Sequence, residues 1–296
     1  MTLKAPFPYF GGKRRAASLV WDALGNVDHY VEPFCGSAAV LLARPHEGRC
    51  ETVNDLDGMV ANFWRAVRAA PDAVAEACDW PVIEADLHAR HLWLIGQRES
   101  ITERLIADPE WYDAKVAGWW CWGVCAWIGD GWCDAGRPGR RLPHIDPTGR
   151  KCPEPTMDLL RAIAARLRRV DVACGDWTRI LSPSALRLNR IASTGVYLDP
   201  PYAEGSQQYA VGGTGTSLSA AVRGWCIEHE RDARLRIVLS GYAGEHDELE
   251  ARGWRVVEWK ANGGYSNATG GANAARERLW LSPGCVERQA GLFGPR

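Results

Sequence analysis

Thr194-Gly195-Val196-Tyr197-Leu198-Asp199-Pro200-Pro201-Tyr202 is the stretch that decides the architecture. Its first five residues form a short apolar run, the pattern of a buried strand. A carboxylate, two prolines and an aromatic follow where that strand should end. Proline has no N–H for a ladder, so pairing stops at Pro200 and Pro201 while their carbonyls stay free as acceptors. Tyr202 offers a flat face to a ring. Ligands of open α/β sheets bind beyond the carboxyl ends of the strands, which makes Asp199, Pro200 and Tyr202 candidate site residues. Taken alone, the four residues are also readable as a strand that ends in a stiff turn.

Upstream, Pro6-Phe7-Pro8-Tyr9-Phe10-Gly11-Gly12-Lys13 precedes a helix expected over 14–24. Lys13 would stand near the start of that helix, where a cation gains nothing from the macrodipole. It is either solvated or held by another partner. A strand over 29–34 leads into Glu32-Pro33-Phe34-Cys35-Gly36-Ser37-Ala38-Ala39 and a short helix. Strand, small-residue turn and helix open a nucleotide-binding βα unit. Gly36 lacks the further glycines of a dinucleotide fingerprint, and Ala38 stands where a second glycine would be. A second strand ends in Asn54-Asp55-Leu56-Asp57, and Asp55 lies where an acidic residue commonly holds a ribose. Either aspartate can instead be the N-cap of the next helix.

Residues 58–128 read as mostly helical, broken at Pro71, Pro81 and Pro109. His88 and His91 have a spacing that can hold a metal, but no neighbouring Cys or carboxylate cluster completes a site. Six of the fifteen tryptophans fall between Trp111 and Trp132. Trp119, Trp122 and Trp127 are expected to pack a small core. A basic loop follows, with Arg137, Arg140, Arg141, Arg150 and Lys151 among Gly and Pro. Aromatics beside clustered arginines suit phosphate contact and base stacking; a solvated loop fits as well. A helix over 157–169, a strand over 170–175 ending at Asp176-Trp177, and room for a crossover helix lead to the strand before Asp199. Residues 203–217 form a Gly/Ser/Gln-rich loop suited to a lid. A helix over 218–233, a strand over 235–239, a helix over 245–252 and strands over 255–259 and 278–281 complete the alternation. The expected fold is α/β, with a doubly wound, mainly parallel sheet and a helical, Trp-rich insertion.

The chain has 296 residues, 46% hydrophobic and 24% charged, ordinary for a globular protein. A net charge of −1 gives no global attraction for a polyanion, so any nucleic-acid surface must be local. No apolar run reaches membrane-spanning length, and residues 1–30 lack the order of an export signal. Ten cysteines in that context suggest reduced thiols and a cytoplasmic protein.

Tyr-Phe-Gly-Gly-Lys at 9–13, Glu-Pro-Phe-Cys-Gly-Ser at 32–37, Asn-Asp-Leu-Asp at 54–57, Gly-Asp-Trp at 175–177 and Asp-Pro-Pro-Tyr at 199–202 together resemble the Dam-like DNA adenine-N6 methyltransferases, in order and in spacing. The Trp-rich segment and the Arg278-Leu-Trp-Leu-Ser-Pro ending are similar to phage and prophage members, found in bacterial or phage-infected cells. The resemblance implies a seven-stranded, Rossmann-like catalytic domain over 1–59 and 169–296, with 60–168 as an inserted DNA-recognition region. It implies S-adenosylmethionine as methyl donor, duplex DNA as partner and no metal. Tyr9 and Lys13 would contact the donor, Glu32, Phe34 and Gly36 would line its pocket, Asp55 would hold its ribose, and Asp176 would face its adenine. Asp199 would lie beside donor and target, the Pro200 carbonyl would accept from the target amine, and Tyr202 would stack on an extruded base. Arg137, Arg140 and Arg141 would touch DNA. Two other enzyme specificities, cytosine N4 and an RNA base, compete with this expectation, as does a non-catalytic DNA-binding relative.

Overall fold

A computed structural model describes residues 3–8, 13, 15–128, 131–143, 156–202, 215–259 and 276–287. Its centre is a seven-stranded sheet: β1 (His29–Glu32), β2 (Cys50–Asp55), β3 (Val170–Cys174), β4 (Thr194–Leu198), β5 (Leu235–Tyr242), β6 (Arg255–Glu258) and β7 (Glu277–Leu281). The spatial order is β3-β2-β1-β4-β5-β7-β6. The pairings from β3 through β5 are parallel, and β7 runs antiparallel to both β5 and β6. The sheet is therefore mixed. The reversal matters because it brings the N-terminal end of β7 to the edge where the parallel strands end, with Glu277 paired to Tyr242.

Buried alternation sets the two faces. Tyr30, Val53, Tyr197 and Val238 join one core, while Val31, Val196, Leu198, Ile237 and Leu239 join the other. The first core is covered by α1 (Ala16–Leu24), α3 (Gly58–Ala69), α4 (Pro71–Cys78), α6 (Ala114–Ala126) and α7 (Met157–Leu167). The second is covered by α8 (Gly215–His229) and by segments around Leu181, Leu186 and Leu249. The short α2 (Ala39–Leu42) follows β1, and α5 (Glu84–Ala107) is the longest helix described.

The proline breaks fall where expected. Pro71 starts α4, where a missing N–H costs nothing, and Pro81 and Pro109 separate α4, α5 and α6. Two expected helices are absent. Between β3 and β4 there is a 3-10 turn (Trp177–Ile180) followed by turns, because Ser182-Pro183-Ser184 satisfies its own backbone; Ser182 Oγ accepts from the N–H of Ala185 at 3.3 Å. Leu181, Leu186 and Leu188 still fill the core from this irregular backbone. The segment over 245–252 is a 3-10 helix (Asp247–Arg252) that stops at Gly253 in a left-handed conformation (φ 89°). The chain enters α1 at Ala16 and α8 at Gly215. The loop residues 203–214 and 261–275, with Tyr9, Arg150 and Lys151, lie outside the described residues.

The tryptophan-rich helices pack on the sheet layer as well as on each other. Phe7, Phe63, Trp64 and Trp120 form a cluster with ring centroids 5.0–6.0 Å apart. Trp64 also donates to the carbonyl of Gly36 at 2.9 Å, which ties α3 to the turn after β1. Trp122 and Trp127 form the expected small core with Leu87, whereas Trp119 packs against the larger one.

At the opposite end of the sheet from Asp55, Glu51 is buried between two arginines. It accepts from Arg44 at 3.0 Å and from both terminal nitrogens of Arg166 at 2.5 and 2.6 Å. Glu51→Gln would leave Arg44, which is almost wholly buried, facing no anion. Urea unfolding is expected to show a loss of about 3 kcal/mol, and a loss below about 0.5 kcal/mol would show that the pair is screened.

Candidate active site

Three neighbouring strand tips carry the site. Asp55 ends β2, Glu32 ends β1, and Asp199 follows β4. With strands about 4.8 Å apart, Asp55 and Asp199 stand roughly 10 Å from one another across β1. Asn54 holds the tips in register: its amide donates to Pro33 O at 3.0 Å and to Gly175 O at 2.9 Å, bridging β1, β2 and β3. The sequence motif contained Asn54, but its bridging role depends on which strands become neighbours.

The turn after β1 folds back on Asp55. Gly36 (φ 44°) donates its N–H to Asp55 Oδ2 at 2.9 Å, and the N–H of Asp57 donates to Oδ1 at 2.9 Å. Asp57 is the N-cap of α3, accepting from Met59 N at 2.9 Å and pairing with Arg98 at 2.7 Å. The choice between the two aspartates is thus resolved: Asp57 caps and Asp55 faces the turn. Ala38 adopts a left-handed conformation (φ 50°, ψ 31°). An L residue there carries a strain of roughly 1–2 kcal/mol that a glycine would not.

Lys13 is the centre of a second group. Its ammonium donates to the Tyr202 hydroxyl and to Glu277 at 3.2 Å, and it lies 3.2 Å from Asp199 Oδ1. Three N–H donors thus meet three acceptors. The Tyr202 hydroxyl also lies 2.9 Å from Glu277 and 3.2 Å from Asp199. Lys13 sits 4.8 Å from the Tyr202 ring centroid, and Tyr242 meets that ring edge-on at 4.6 Å. The Tyr202 ring is consequently buried, with its hydroxyl fully engaged.

Burial governs the electrostatics of these carboxyl groups. Burial pushes Glu32 up to about 8, helped by Asp199 and opposed by the Tyr30 hydroxyl, which donates to it at 2.9 Å. Burial pushes Asp55 up to about 7, against the hydrogen bonds it accepts. Asp199 and Glu277 are also raised by burial, with Lys13 opposing. Burial alone would lower Lys13, but the two carboxylates outweigh it and leave it raised. Asp199 and Glu277 share the Lys13 ammonium, while Glu32 and Asp55 pair with no cation among the described residues, an arrangement that favours a cationic ligand.

Other expected residues fall differently. Phe34 stacks on Trp177 at 6.1 Å, an aromatic neighbour that spacing did not reveal. Asp176 is exposed and caps the turn after β3, accepting from Thr178 N at 2.9 Å. Arg137 lies 3.7 Å from Asp134, Arg140 lies 4.0 Å from Glu84, and Arg141 is exposed. None of the three joins the Lys13 network. His91 accepts from Cys133 N at 3.1 Å through Nδ1 and donates through Nε2 to Arg137 O at 3.1 Å. Its ring is therefore a neutral structural tie. Glu277, the acid that sequence reasoning missed, enters only through the antiparallel β7.

Raised carboxyl pKa values have a definite sign. Between the unfolded and folded values the folded chain holds protons that the unfolded chain releases, so this stabilisation is lost as pH rises toward 8. His29 and His246, both lowered to about 4 by burial, act oppositely, but only below about pH 6.5. Glu32→Gln is therefore expected to be more stable than the natural chain at pH 8 by about 2–4 kcal/mol, with a shallower fall between pH 6.5 and 8. Parallel pH–stability curves would mean that Glu32 ionises as a solvated carboxylate.

No curated protein matches the chain. Residues 9–87 match the family model of the D12 class N6 adenine-specific DNA methyltransferases. The matched span holds Lys13, Glu32, Gly36 and Asp55, while Asp176, Asp199 and Glu277 lie beyond it. The match supports the resemblance to Dam-like adenine methyltransferases, a family that suggests methylation of adenine in DNA.

Proposed function

We propose that the chain is a site-specific DNA methyltransferase that transfers a methyl group from S-adenosylmethionine to the N6 amino group of an adenine swung out of the duplex. The observation that carries this reading is the placement of Asp199, held by Lys13, beside the acidic tips of β1 and β2. The donor is a cation at sulfur and at its amino group; Glu32 and Asp55 would offer it carboxyl groups that a bound cation helps to ionise, and the Phe34–Trp177 pair an aromatic wall. Asp55 would take the ribose, Glu32 and Gly36 the pocket wall, Tyr9 and Lys13 would contact the donor, and Asp176 would face its adenine. When bound, the donor supplies a methyl on a positively charged sulfur.

An adenine amino group is a poor nucleophile because its lone pair is delocalised into the ring. Asp199 and the Pro200 carbonyl would accept its two N–H bonds and favour a pyramidal nitrogen aimed at the methyl. Tyr202, with Tyr242 at its edge, would wall the base, which must leave the stack at a cost of roughly a few kcal/mol. Alignment then carries much of the rate, and no step in this scheme requires a metal. Water takes the proton released from the methylated nitrogen. Residues 60–168 would contribute the recognition surface, with Arg137, Arg140 and Arg141 toward DNA. Among the described residues no helix is long and apolar enough to cross a membrane. A cytoplasmic setting, in a host modification system or a phage, follows from the substrate.

Incubation with labelled donor and unmodified DNA, followed by digestion, is expected to give N6-methyladenine as the labelled nucleoside. Label on cytosine N4 or on RNA, or none at all, would replace this reading. Asp199→Ala is expected to reduce transfer more than about 10²-fold, and near-normal turnover would remove Asp199 from the role. Neutralising Arg137, Arg140 and Arg141 together is expected to weaken DNA binding and to lower the slope of log affinity against log salt by about 0.9 per lost phosphate contact. An unchanged slope would place the DNA surface elsewhere.

A further inference from the structure

Asp199 and Glu277 compete for one ammonium. Glu277 takes Lys13 at 3.2 Å and the Tyr202 hydroxyl at 2.9 Å, the shorter of that hydroxyl's two carboxylate contacts. Asp199 shares Lys13 through Oδ1 alone, and its Oδ2 accepts no hydrogen bond from the described residues. Without Glu277, the Lys13 charge and the Tyr202 proton would both turn to Asp199. The carboxylate needed at the amine would then be neutralised by its own neighbours.

We propose that Glu277 is a positioning residue of the transfer step: it draws Lys13 and the Tyr202 hydroxyl to itself and leaves Asp199 with an anionic, unengaged oxygen for the target amine. This rests on the methyltransferase reading above. The reason is charge. As the amine attacks, positive charge develops on its nitrogen, and a carboxylate whose charge is not already spent stabilises it most. One ammonium against one carboxylate would be a closed pair. One ammonium against two leaves a net negative charge beside the reacting atoms. Glu277 touches neither substrate in this scheme, and it acts through Lys13 and Tyr202.

The surroundings bear on any pH readout. Tyr197 on β4 and Glu32 on β1 face Asp199, Glu245 after β5 adds a further negative charge toward it, and Tyr242 and Arg276 flank the Glu277 side. These remain in place when Glu277 alone is changed. Removing its charge should make Asp199 easier to ionise, because a like charge has gone and Lys13 is freed to face it.

The test compares the natural chain with Glu277→Gln and Glu277→Asp, using labelled donor and DNA. Glu277→Gln is expected to lower kcat roughly 10²-fold with the KM for DNA changed less than about threefold, and to shift the acid limb of the kcat profile to lower pH. Glu277→Asp keeps the charge and is expected to recover at least about tenfold of the loss. A fall in kcat with an unmoved acid limb and no recovery by Glu277→Asp would mark a purely structural role and overturn the proposal. So would kcat values for Glu277→Gln within about twofold of the natural chain. If the natural chain itself labels no adenine, the methyltransferase reading falls and takes this proposal with it; an active natural chain with an indifferent Glu277 removes the proposal alone.

Discussion

The buried ammonium of Lys13 is the constraint on which the site depends. It lies 189 positions from Tyr202 and 264 from Glu277 along the chain, yet bonds to both. Such a charge is tolerable inside a protein only with close partners of opposite sign. Its partners stand just after β4 and on β7, while Lys13 itself precedes α1. The ion cluster therefore closes correctly only when the N-terminal segment, the central parallel strands and the antiparallel strand are all in place. Burial against Trp259, 5.4 Å from the ammonium, keeps water from replacing those partners.

A division of labour follows along the sheet edge. The β1–β2 half presents Glu32 and Asp55, carboxyls held without a described cation, together with an aromatic pair. The β4–β7 half presents carboxylates already engaged by Lys13 and Tyr202. The first half is suited to receive a cationic ligand, and the second to orient a polar group. They are joined through β1, the strand that pairs with both β2 and β4. Asn54 and the Trp64–Gly36 hydrogen bond tie that junction to β3 and to α3.

Much of this was legible in the chain. Asp55, Asp199 and the parallel strands before them followed from apolar runs ending in polar residues, a local pattern. The mixed character of the sheet was not, because strand direction at the closing edge is set by which neighbour β7 finds. Glu277 was hidden for the same reason: it begins a strand, and a residue there reaches the ligand edge only if that strand runs backwards. The segment between Asp176 and Asp199 misled because its length allows a helix, whereas Ser182, Pro183 and Ser184 prefer turns. Ala38 stands where a second glycine would be, and only its left-handed backbone, which spacing does not show, reveals the strain of that exchange. Tyr202 looked like an open stacking face, but long-range bonds to Lys13 and Glu277 bury it.

The central claim is that strand tips remote in sequence form one site for donor and target. A crystal structure with S-adenosylhomocysteine bound tests it most directly. The account places that ligand across the tips of β2, β1 and β4, with its ribose hydroxyls on Asp55 and its sulfur turned toward Asp199. Density for the ligand on another face of the sheet, away from Lys13, Asp55 and Asp199, would contradict it.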